Sequence, residues 1–567
     1  MNTSQTLLKI IAALSLAVVL PGCHHDETAS PAFDSAGGVV ANLRAPVETA
    51  HNEFTGQKSF DPWVLTTTDP KGEIPAYLGN GATGVTYGHD GMPNGTIAAG
   101  QYKGGALVVS GANAMRPALG DAYKQTLDLR TGILQTVDAG KTVTAQVSGA
   151  DWASIWKDAD ISIAGDPEAQ QVTHANLFYL LSSIAPKTSN SIPPMGLSGN
   201  IYGGHIFWDA EIWMLPALLP QFPDRVRSMI DYRFKRLAQA KANAAAHKYQ
   251  GAEYPWESAD TGKEEAPAEF AAERHITADV AYAAWQYYLW TGDKDYLNNE
   301  CVPILVANAD YWVSRAKKGA DGKYHITKVL SPDETADQVD DDAWTNGVVI
   351  ESLKAAIASG APVKPAWRDL VNGLQPVFDS HAKRYLEHAG ANDKLIAKQA
   401  DTQMLVYPLD LSMPAEVAAN TLDYTLAHTM KVGPAMTSSI DATVSARLGR
   451  GQQSLDLFHD SYRPFMRSGL AAFSEKRTAN RVYFCTGMGG CLQPVLYGFC
   501  GLNVAWGQHK PHGALVAKAD DASLYADPHL PPGWTSLTLK GVKFRGSSYT
   551  LQVGPANRLT VTKDARP

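Results

Sequence analysis

Twelve successive helix-like segments between residues 167 and 500 constrain the fold of this chain more than any other feature. The series begins at Asp166, a residue type that caps helix N-termini, followed by Pro167 at the first helical position. The predicted helices cover 167–184, 208–219, 222–247, 275–291, 294–316, 344–360, 365–389, 399–405, 414–429, 436–447, 452–462 and 488–500. Twelve antiparallel helices suit a toroid of six inner and six outer helices, an (α/α)6 barrel with a concave site at one end.

Alternating patterns flank this helical stretch on both sides. "GALVVSG" and "KTVTAQVSG" before it, and "WTSLTLKGVKFRGSSYTLQV" after it, alternate apolar and polar residues between glycine turns, as antiparallel strands do. We therefore expect a multidomain chain. It has an N-terminal β-sandwich-like domain over 55–163, an (α/α)6 barrel over 164–507 and a small C-terminal β domain over 508–567.

Composition and missing motifs exclude several functions. The net charge is -8 and no block of Lys and Arg stands out, so nucleic acid is not expected as a partner. "GNGATG" at 79–84 has the glycine spacing of a dinucleotide site, but "VTYGHDG" follows it, which favours a β turn. The three aspartates at 340–342 lack the spacing of a calcium loop and favour a solvated helix start. We predict no metal and no organic cofactor.

The N-terminus has the pattern of an export signal. Lys9 precedes "IIAALSLAVVL", and the following "PGC" completes a stretch, 20–23, that resembles a bacterial lipobox. We expect a lipoprotein signal over 1–23, lipidation at Cys23 and a flexible tether over 24–54. This predicts the bacterial cell envelope, periplasmic or outer-membrane-anchored, with membrane contact only through the lipid. An ordinary cleaved signal is the alternative.

Four further cysteines have two interpretations. Cys301, Cys485, Cys491 and Cys500 lie in an exported chain, where they can pair in three ways. Three of them share an apolar segment, which is equally consistent with buried free thiols.

Aromatic residues recur beside carboxylates in the predicted loops between helices. "GGHIFWDAEIW" contains Trp208 and Asp209, and "YPWESADTGKEE" contains Trp256 and Glu257. Sugars offer apolar faces for stacking and hydroxyl groups for carboxylates, so the repetition favours a small oligosaccharide or glycan as substrate. A chance scatter of buried Trp and exposed acids is the alternative.

Glu334 is the predicted proton donor. It lies in "SPDETADQVDDDAWTN", where Pro332 stiffens the turn and the acidic neighbours favour the protonated form of a carboxyl group. Cleavage of a glycosidic bond requires such a protonated acid, and inversion requires a second, ionised one. The alternative, that Glu334 is one exposed acid among many, stays open at this point.

With these motifs the chain resembles glycoside hydrolase family 65. The resemblance is strongest in "GGHIFWDAEIWMLPALL", "YPWESADTG", "HITADVAYAAWQYYLWTGD", "KQADTQMLVYPL" and "FCTGMGGCLQ". It implies that Glu334 is the general acid, that Trp208 and Asp209 hold the glucose, and that Lys398 and Gln399 are further sugar ligands. It also implies that Glu475, ahead of "TGMGG", is the general base. The N-terminal β domain is shorter than is usual in the family.

The resemblance implies an inverting, exo-acting α-glucosidase, for a kojibiose-type or nigerose-type linkage. Phosphorylases of the family carry a His-Asp pair where this chain has "GPAMTSSIDA" at 433–442, so water is the expected nucleophile. The two carboxyl groups of an inverting enzyme lie about 6.5–9.5 Å apart. A phosphorylase and a non-catalytic glycan-binding lipoprotein are the alternatives. Thr335 and Lys476 depart from the family pattern and leave the linkage open.

Overall fold

The computed structural model describes residues 61–70, 74–111, 122–268, 270–392, 394–478 and 482–565. The predicted signal, the tether and Cys23 lie outside this part of the chain. Within it, no helix has the length and apolar character needed to cross a membrane.

The N-terminal region contains two antiparallel four-stranded sheets within the described residues. One has the strand order β1-β6-β7-β8 and the other β2-β3-β4-β5. The strands are β1 Val64–Thr67, β2 Ala76–Gly79, β3 Thr83–Tyr87, β4 Pro93–Lys103, β5 Ala106–Ser110, β6 Lys124–Asp128, β7 Ile133–Asp138 and β8 Lys141–Ala145. The structure thus confirms the expected β-rich beginning of the chain.

The "GNGATG" stretch forms the turn between β2 and β3, as its sequence predicts. Gly81 has a φ of 85°, and a Cβ there would lie 2.3 Å from the carbonyl group of Ile184. The amide of Gly81 donates to the carbonyl of Ser182 at 2.9 Å. Only a residue without a side chain allows this close approach of the hairpin to the helical region.

A short helix precedes the expected helical region. Helix α1, Trp152–Asp158, is capped by Asp151 and buries Trp152 and Trp156. The sequence analysis assigned this stretch to the β domain and missed the helix, because seven residues are too few to reveal a helical period. The next strand, β9 Asp160–Ala164, pairs with the C-terminal β17 and not with the N-terminal sheets.

Helices dominate the chain from residue 167 to residue 499. The α-helices are α2 Pro167–Ser182, α3 Leu215–Leu218, α4 Pro223–Lys235, α5 Leu237–Ala246, α6 Ile276–Thr291, α7 Lys294–Tyr296, α8 Val302–Arg315, α9 Ala343–Ala358, α10 Pro365–Gly373, α11 Ala415–Ala427, α12 Ser438–Arg447, α13 Gly451–Asp460 and α14 Cys485–Gln493. Three segments are helical with wider turns. Asp209–Met214 leads into α3, Leu297–Cys301 leads into α8, and Pro494–Phe499 continues α14. Short 3-10 turns occupy Ile201–Gly204, Thr402–Leu405, Arg463–Phe465 and Pro555–Asn557.

The helical predictions match in position, with one clear error. The helix predicted over 365–389 ends at Gly373, and a small hairpin of β12 Phe378–Asp379 and β13 Arg384–Tyr385 follows. Pro376 explains the stop, because proline lacks the amide that a helix needs and restricts the preceding residue. Another two-stranded hairpin, β10 Lys317–Lys318 with β11 Tyr324–His325, lies after α8.

Within the described residues, six segments contact one another in a ring. Each segment of the ring contacts the next one, in the order Asp209–Met214, α6, α9, Thr402–Leu405, α12 and α14. Helix α14 then contacts Asp209–Met214 and closes the ring. Helices α2, α4, α8, α10, α11 and α13 each pack against a segment of this ring. Inner and outer segments therefore alternate along the chain.

The C-terminal region is again β-structured. One sheet has the order β14-β16-β15 and the other β19-β18-β17-β9. The strands are β14 Leu502–Ala505, β15 Ala514–Lys518, β16 Ser523–Ala526, β17 Ser536–Phe544, β18 Ser547–Gly554 and β19 Arg558–Lys563. The four cysteines of the described chain are buried free thiols, and burial raises the pKa of each.

Candidate active site

The loop that carries Glu334 is fixed from below by Asp333. The Asp333 carboxylate is fully buried, and it accepts from the backbone amides of Thr335 at 2.9 Å and Lys398 at 3.2 Å. The hydroxyl groups of Ser331 and Thr335 donate to it as well. Glu334 itself has a φ of 60°, in the left-handed region that non-glycine residues rarely adopt. Such strain persists only where the surroundings hold it, and it concentrates at functional sites.

Lys398 and Gln399 dock on this loop. The Lys398 ammonium lies 2.5 Å from the Glu334 carboxylate, and the pair is about one quarter exposed. Gln399 is buried, and its amide nitrogen donates to the carbonyl of Pro332. The predicted sugar ligand Gln399 thus holds the acid loop in place, whereas Lys398 offers its charge directly to Glu334. The sequence argument counted only acidic neighbours of Glu334 and missed this cation.

Segment 433–435 lies against the backbones of both Lys398 and Glu475. Gly433 lies against the carbonyl of Lys398, and the amide of Ala435 donates to the carbonyl of Glu475 at 2.9 Å. The Glu475 side chain is 7% exposed. The region that corresponds to the phosphate-binding segment of the phosphorylases therefore contacts the backbone of both Lys398 and Glu475.

Tyr202 is a partner of Glu475 that the sequence analysis missed. Its hydroxyl donates to Oε2 of Glu475 at 2.7 Å, across 273 positions of sequence. The Tyr202 backbone is left-handed, with φ 57° and ψ 35°, in the short "IYGG" turn. The paired glycines next to an aromatic residue are the only local signal of such a turn.

Asp209 connects the two predicted catalytic acids. Thr486, in the first turn of α14, donates its hydroxyl to Asp209 at 2.5 Å. The pKa of Asp209 is raised to about 7, first by burial and then by the charges of Glu475 and Glu334. Both charges act on one buried carboxyl group, so the structure brings three predicted site residues to one place.

Aromatic rings and a buried cation form the wall beside Asp209. The His275 ring lies 4.8 Å from the Trp208 ring and 5.6 Å from the Trp256 ring, centre to centre. Burial by itself would lower the pKa of His275, but the carboxylates of Asp279 and Glu273, at 2.6 and 3.0 Å, raise it to about 10. The raised pKa favours an imidazolium beside Trp208, at a position that the sequence analysis did not select.

Glu257 is committed to a different partner. Its Oε2 lies 2.6 Å from Nδ1 of His205, whose Nε2 lies 2.7 Å from the carbonyl of Gly105 in the β4–β5 turn. Burial lowers the pKa of His205, but the bonds to Glu257 and the Gly105 carbonyl, together with the charges of Glu257 and Glu265, outweigh it and the net shift is upward. The ion pair fastens a loop of the N-terminal sheet to the helical region, next to Trp256.

Acids are also crowded underneath the Glu334 loop. Asp342 and Asp401 are fully buried neighbours. Burial is the main reason that the pKa of Asp401 lies well above its usual range, and the charges of Asp342 and Glu387 raise it further. Burial, with Asp333 and Asp342, raises the pKa of Glu387 to about 9. The chain therefore does force acids to keep their protons, but below the predicted donor.

The aspartates at 340–342 correct one expectation. Asp342 caps α9 by accepting from the Thr345 amide at 2.8 Å, so the predicted helix start is confirmed. The predicted solvation is wrong for Asp341 and Asp342, which are buried. His325 lies 2.6 Å from Asp341 and supplies the positive partner that the sequence pattern does not show. No group of His, Cys, Asp and Glu in the described residues has the arrangement of a metal site.

Comparisons with known proteins identify the family of this chain. Residues 174–369 match the glycosyl hydrolase family 65 central catalytic domain. A kojibiose hydrolase of Mucilaginibacter mallensis is 38% identical over 72% of this chain and 61% of its own length, and one of Flavobacterium johnsoniae is 39% identical over 71% and 58%. A protein-glucosylgalactosylhydroxylysine glucosidase of Dictyostelium discoideum is 35% identical over 73% of this chain and 57% of its own. The chain thus spans about three fifths of the length of these relatives.

One solved structure shares the fold over nearly the whole chain. It is a provisionally assigned kojibiose phosphorylase from the human microbiome, with a TM-score of 0.71 and 16% sequence identity. The match covers 89% of this chain and 96% of the other.

Proposed function

The chain belongs to glycosyl hydrolase family 65, and from this premise we propose that it is an exo-acting α-glucosidase that hydrolyses its substrate with inversion. In this proposal Glu334 protonates the glycosidic oxygen, and Glu475 takes a proton from the water that attacks the anomeric carbon on the opposite face. The glycosidic bond breaks as the bond to water forms, and the released glucose is the β-anomer. No cofactor takes part.

One observation carries the proposal. Asp209 is buried, and its pKa responds to the charges of both Glu334 and Glu475. Two acids from segments far apart in sequence are therefore near enough for their charges to act on Asp209. In this proposal the Asp209 carboxyl group accepts hydrogen bonds from sugar hydroxyls. Trp208 and Trp256 supply the adjoining apolar wall. An inverting mechanism requires the two acids to stand about 6.5–9.5 Å apart, with one water molecule between base and sugar.

Lys398 gives the site a way to respond to its substrate. The Lys398 ammonium is bonded to the Glu334 carboxylate in the structure. We propose that a sugar hydroxyl accepts from the Lys398 ammonium and draws it away from Glu334. Binding of the glucose ring then leaves the Glu334 carboxyl group free to approach the glycosidic oxygen.

The substrate preference is proposed from the relatives. The Mucilaginibacter and Flavobacterium proteins are kojibiose hydrolases, so we propose kojibiose-type α-1,2 linkages first and nigerose-type α-1,3 linkages second. We propose that Thr335, next to the acid, and Lys476, next to the base, contact the leaving sugar. We further propose that the ring of inner and outer segments is an (α/α)6 barrel. Attachment to the bacterial envelope through Cys23 is proposed from the lipobox pattern alone.

The test is an assay of sugars with the anomer followed directly. The protein is incubated with kojibiose, nigerose, maltose and trehalose, with and without phosphate, and the product is followed by nuclear magnetic resonance. We expect β-glucose without phosphate, from kojibiose or nigerose. Release of α-glucose would exclude inversion. Glu334→Gln and Glu475→Gln should each lower turnover to a small residual rate, and full activity of Glu475→Gln would remove it as the base.

A phosphorylase is the second candidate, favoured by two hydroxyl groups. Thr437 and Ser439, at the beginning of α12, are buried, and their hydroxyl oxygens have no hydrogen-bond partner within the described chain. A helix N-terminus with free hydroxyls suits an anion. Turnover that depends on phosphate and yields a β-sugar phosphate would establish this activity. Binding of sugar without any turnover would identify the glycan-binding alternative.

A further inference from the structure

The turn that carries Tyr202 has an unusual backbone conformation. Tyr202, Gly203 and Gly204 have φ angles of 57°, 63° and 67°, so three successive residues lie in the left-handed region. A residue other than glycine adopts this region at a cost, and it persists where surrounding contacts hold it. Because the Tyr202 hydroxyl is bonded to Glu475 at 2.7 Å, whatever holds this turn also sets the position of that bond.

The tip of the β4–β5 hairpin covers this turn. A Cβ at Gly204 would clash with the side chain of Leu107, and the Tyr102 hydroxyl donates to the Gly204 carbonyl at 2.7 Å. The Asn200 side chain donates to the carbonyl of Leu107 at 3.3 Å. The N-terminal region therefore contributes to the placement of a residue that is bonded to the proposed base.

His205 joins the turn to the hairpin. Its amide donates to the Tyr202 carbonyl at 3.0 Å, and its ring lies so close to Gly203 that a Cβ there would clash with Nε2. The same Nε2 lies 2.7 Å from the Gly105 carbonyl at the hairpin tip, and Nδ1 lies 2.6 Å from Glu257. The side chains of His205 and Glu257 are 12% and 13% exposed, so water has little access to these bonds.

Both ring nitrogens of His205 face oxygen atoms that accept hydrogen bonds. A neutral imidazole has one N–H and donates to one of them, whereas the imidazolium donates to both. The charged groups that act on the ring, Glu257 and Glu265, are acidic, and the pKa of His205 is raised above its usual value. When the proton is lost, the remaining N–H stays with the Glu257 carboxylate, because a charged acceptor binds it more strongly. The bare Nε2 then faces the Gly105 carbonyl, and the link to the hairpin is broken.

We propose that His205 is a positioning residue for the hydrolysis, which as an imidazolium fastens the β4–β5 hairpin to the Tyr202 turn and thereby holds Tyr202 against Glu475. We call the bond between His205 and the Gly105 carbonyl the clasp. This inference rests on the proposed function, in which Glu475 is the base. The clasp is closed below the pKa of His205 and opens as the pH rises through it.

The test compares the hydrolysis of kojibiose by His205→Asn and by the unaltered protein at pH 5–9. The asparagine amide still donates to Glu257 from the place of Nδ1 but is too short to reach Gly105, so the clasp is open at every pH. At pH 5 the kcat of the unaltered protein should exceed that of the variant about five- to tenfold, the equivalent of one lost hydrogen bond.

This ratio should fall towards one as the pH rises, because the unaltered protein then loses the same bond. The titrations of Glu334 and Glu475 are common to both proteins and cancel in the ratio. A ratio that stays constant with pH would overturn the proposal, since a purely structural role is lost equally at every pH. His459→Asn is the matched control. His459 lies 3.0 Å from Asp166 and is 16% exposed, but it bonds at the beginning of α2 instead of at the hairpin, so its pH profile should be that of the unaltered protein.

A second variant guards against misfolding of the first. Glu257→Gln keeps an acceptor for Nδ1 but removes a charge that favours the imidazolium, so the clasp should open at a lower pH. Its kcat relative to the unaltered protein should therefore be lowest near neutral pH and recover on both sides. A relative kcat that is independent of pH would contradict the clasp.

Hydrogen exchange supplies a measurement that needs no activity. At pH 6, the amides of 100–107 and 200–206 should exchange about five- to tenfold faster in His205→Asn than in the unaltered protein, and should be unchanged in His459→Asn. Unchanged exchange in His205→Asn would overturn the proposal. If the protein hydrolyses none of the sugars, the proposed function fails, whereas faster exchange of both segments would still support the clasp.

Discussion

Tyr202 offers the sharpest test of the proposed base. Its hydroxyl is bonded at 2.7 Å to a carboxylate that is only 7% exposed, so water cannot easily replace it. Tyr202→Phe removes that one bond and keeps the ring, which packs edge-on against Phe207 at 5.9 Å. A hydrogen bond to a charged group contributes about 1.5–3 kcal/mol. At 1.36 kcal/mol for each tenfold change, kcat should fall about 10- to 150-fold if Glu475 acts as the base.

The assay is the steady-state hydrolysis of kojibiose, analysed separately for kcat and KM. Tyr102→Phe is the matched control, because the Tyr102 hydroxyl donates to the Gly204 carbonyl in the same turn and has no bond to Glu475. It should leave kcat within about threefold of the unaltered value, since one neutral hydrogen bond is worth about 1 kcal/mol or less.

A double-mutant cycle completes the argument. In the Glu475→Gln background, the additional Tyr202→Phe change should cause almost no further loss, because the positioned carboxylate is already absent. An equal loss in both backgrounds would show that Tyr202 acts independently of Glu475. No loss in the single variant would refute the positioning role altogether.

Three further predictions follow from the charges around the site. The KM should rise as the pH falls through about 7, because Asp209 with its raised pKa loses the charge that binds sugar hydroxyls. Asp209→Asn should bind weakly at every pH, without this dependence. Lys398→Met should lower kcat at least about tenfold, or 1.4 kcal/mol. The melting temperature should stay nearly unchanged, because the ion pair of Lys398 is partly exposed. An unaltered kcat would remove Lys398 from the mechanism. The folded protein binds the Glu387 proton more tightly than the unfolded chain, so this group's contribution to stability falls as the pH rises from about 4.5 to about 9. In urea unfolding at pH 5, 7 and 9, the free energy of unfolding should decline less with pH for Glu387→Gln than for the unaltered protein. The exposed Glu416→Gln should behave as the unaltered protein. Equal declines in the unaltered protein and both variants would contradict the raised pKa of Glu387.

The order of elements was predictable because local signals agree with the fold. Asp166 and Asp342 cap helices as their sequence contexts predict, and their side chains accept from Ala169 and Thr345. Helical periods are long enough to be read in the central region, whereas the seven residues of α1 are not. Pro376 shows where apolar periodicity fails to predict a helix. The apolar spacing over 365–389 favours one long helix, but the proline prevents the backbone from continuing it.

The candidate site was predictable only in part, because its decisive contacts connect distant segments. Lys398 comes to Glu334 from 64 positions away, and Tyr202 comes to Glu475 from 273 positions away. The residues next to Glu334 and Glu475 in the sequence give no indication of these partners. The predicted ligands Gln399 and Glu257 illustrate the converse, because their side chains bind a backbone carbonyl and a histidine of the protein itself.

The pairing of β9 with β17 sets an order of events during synthesis. Ile163 leaves the ribosome early and finds its partner Leu537 only when almost all of the polypeptide has been made. Until then the edge of β9 offers unpaired backbone groups to any passing strand. Nascent chains that stop short of the last sheet should thus be held by chaperones or degraded, and a shortened gene product should be poorly soluble even though every residue around Glu334 and Glu475 is present.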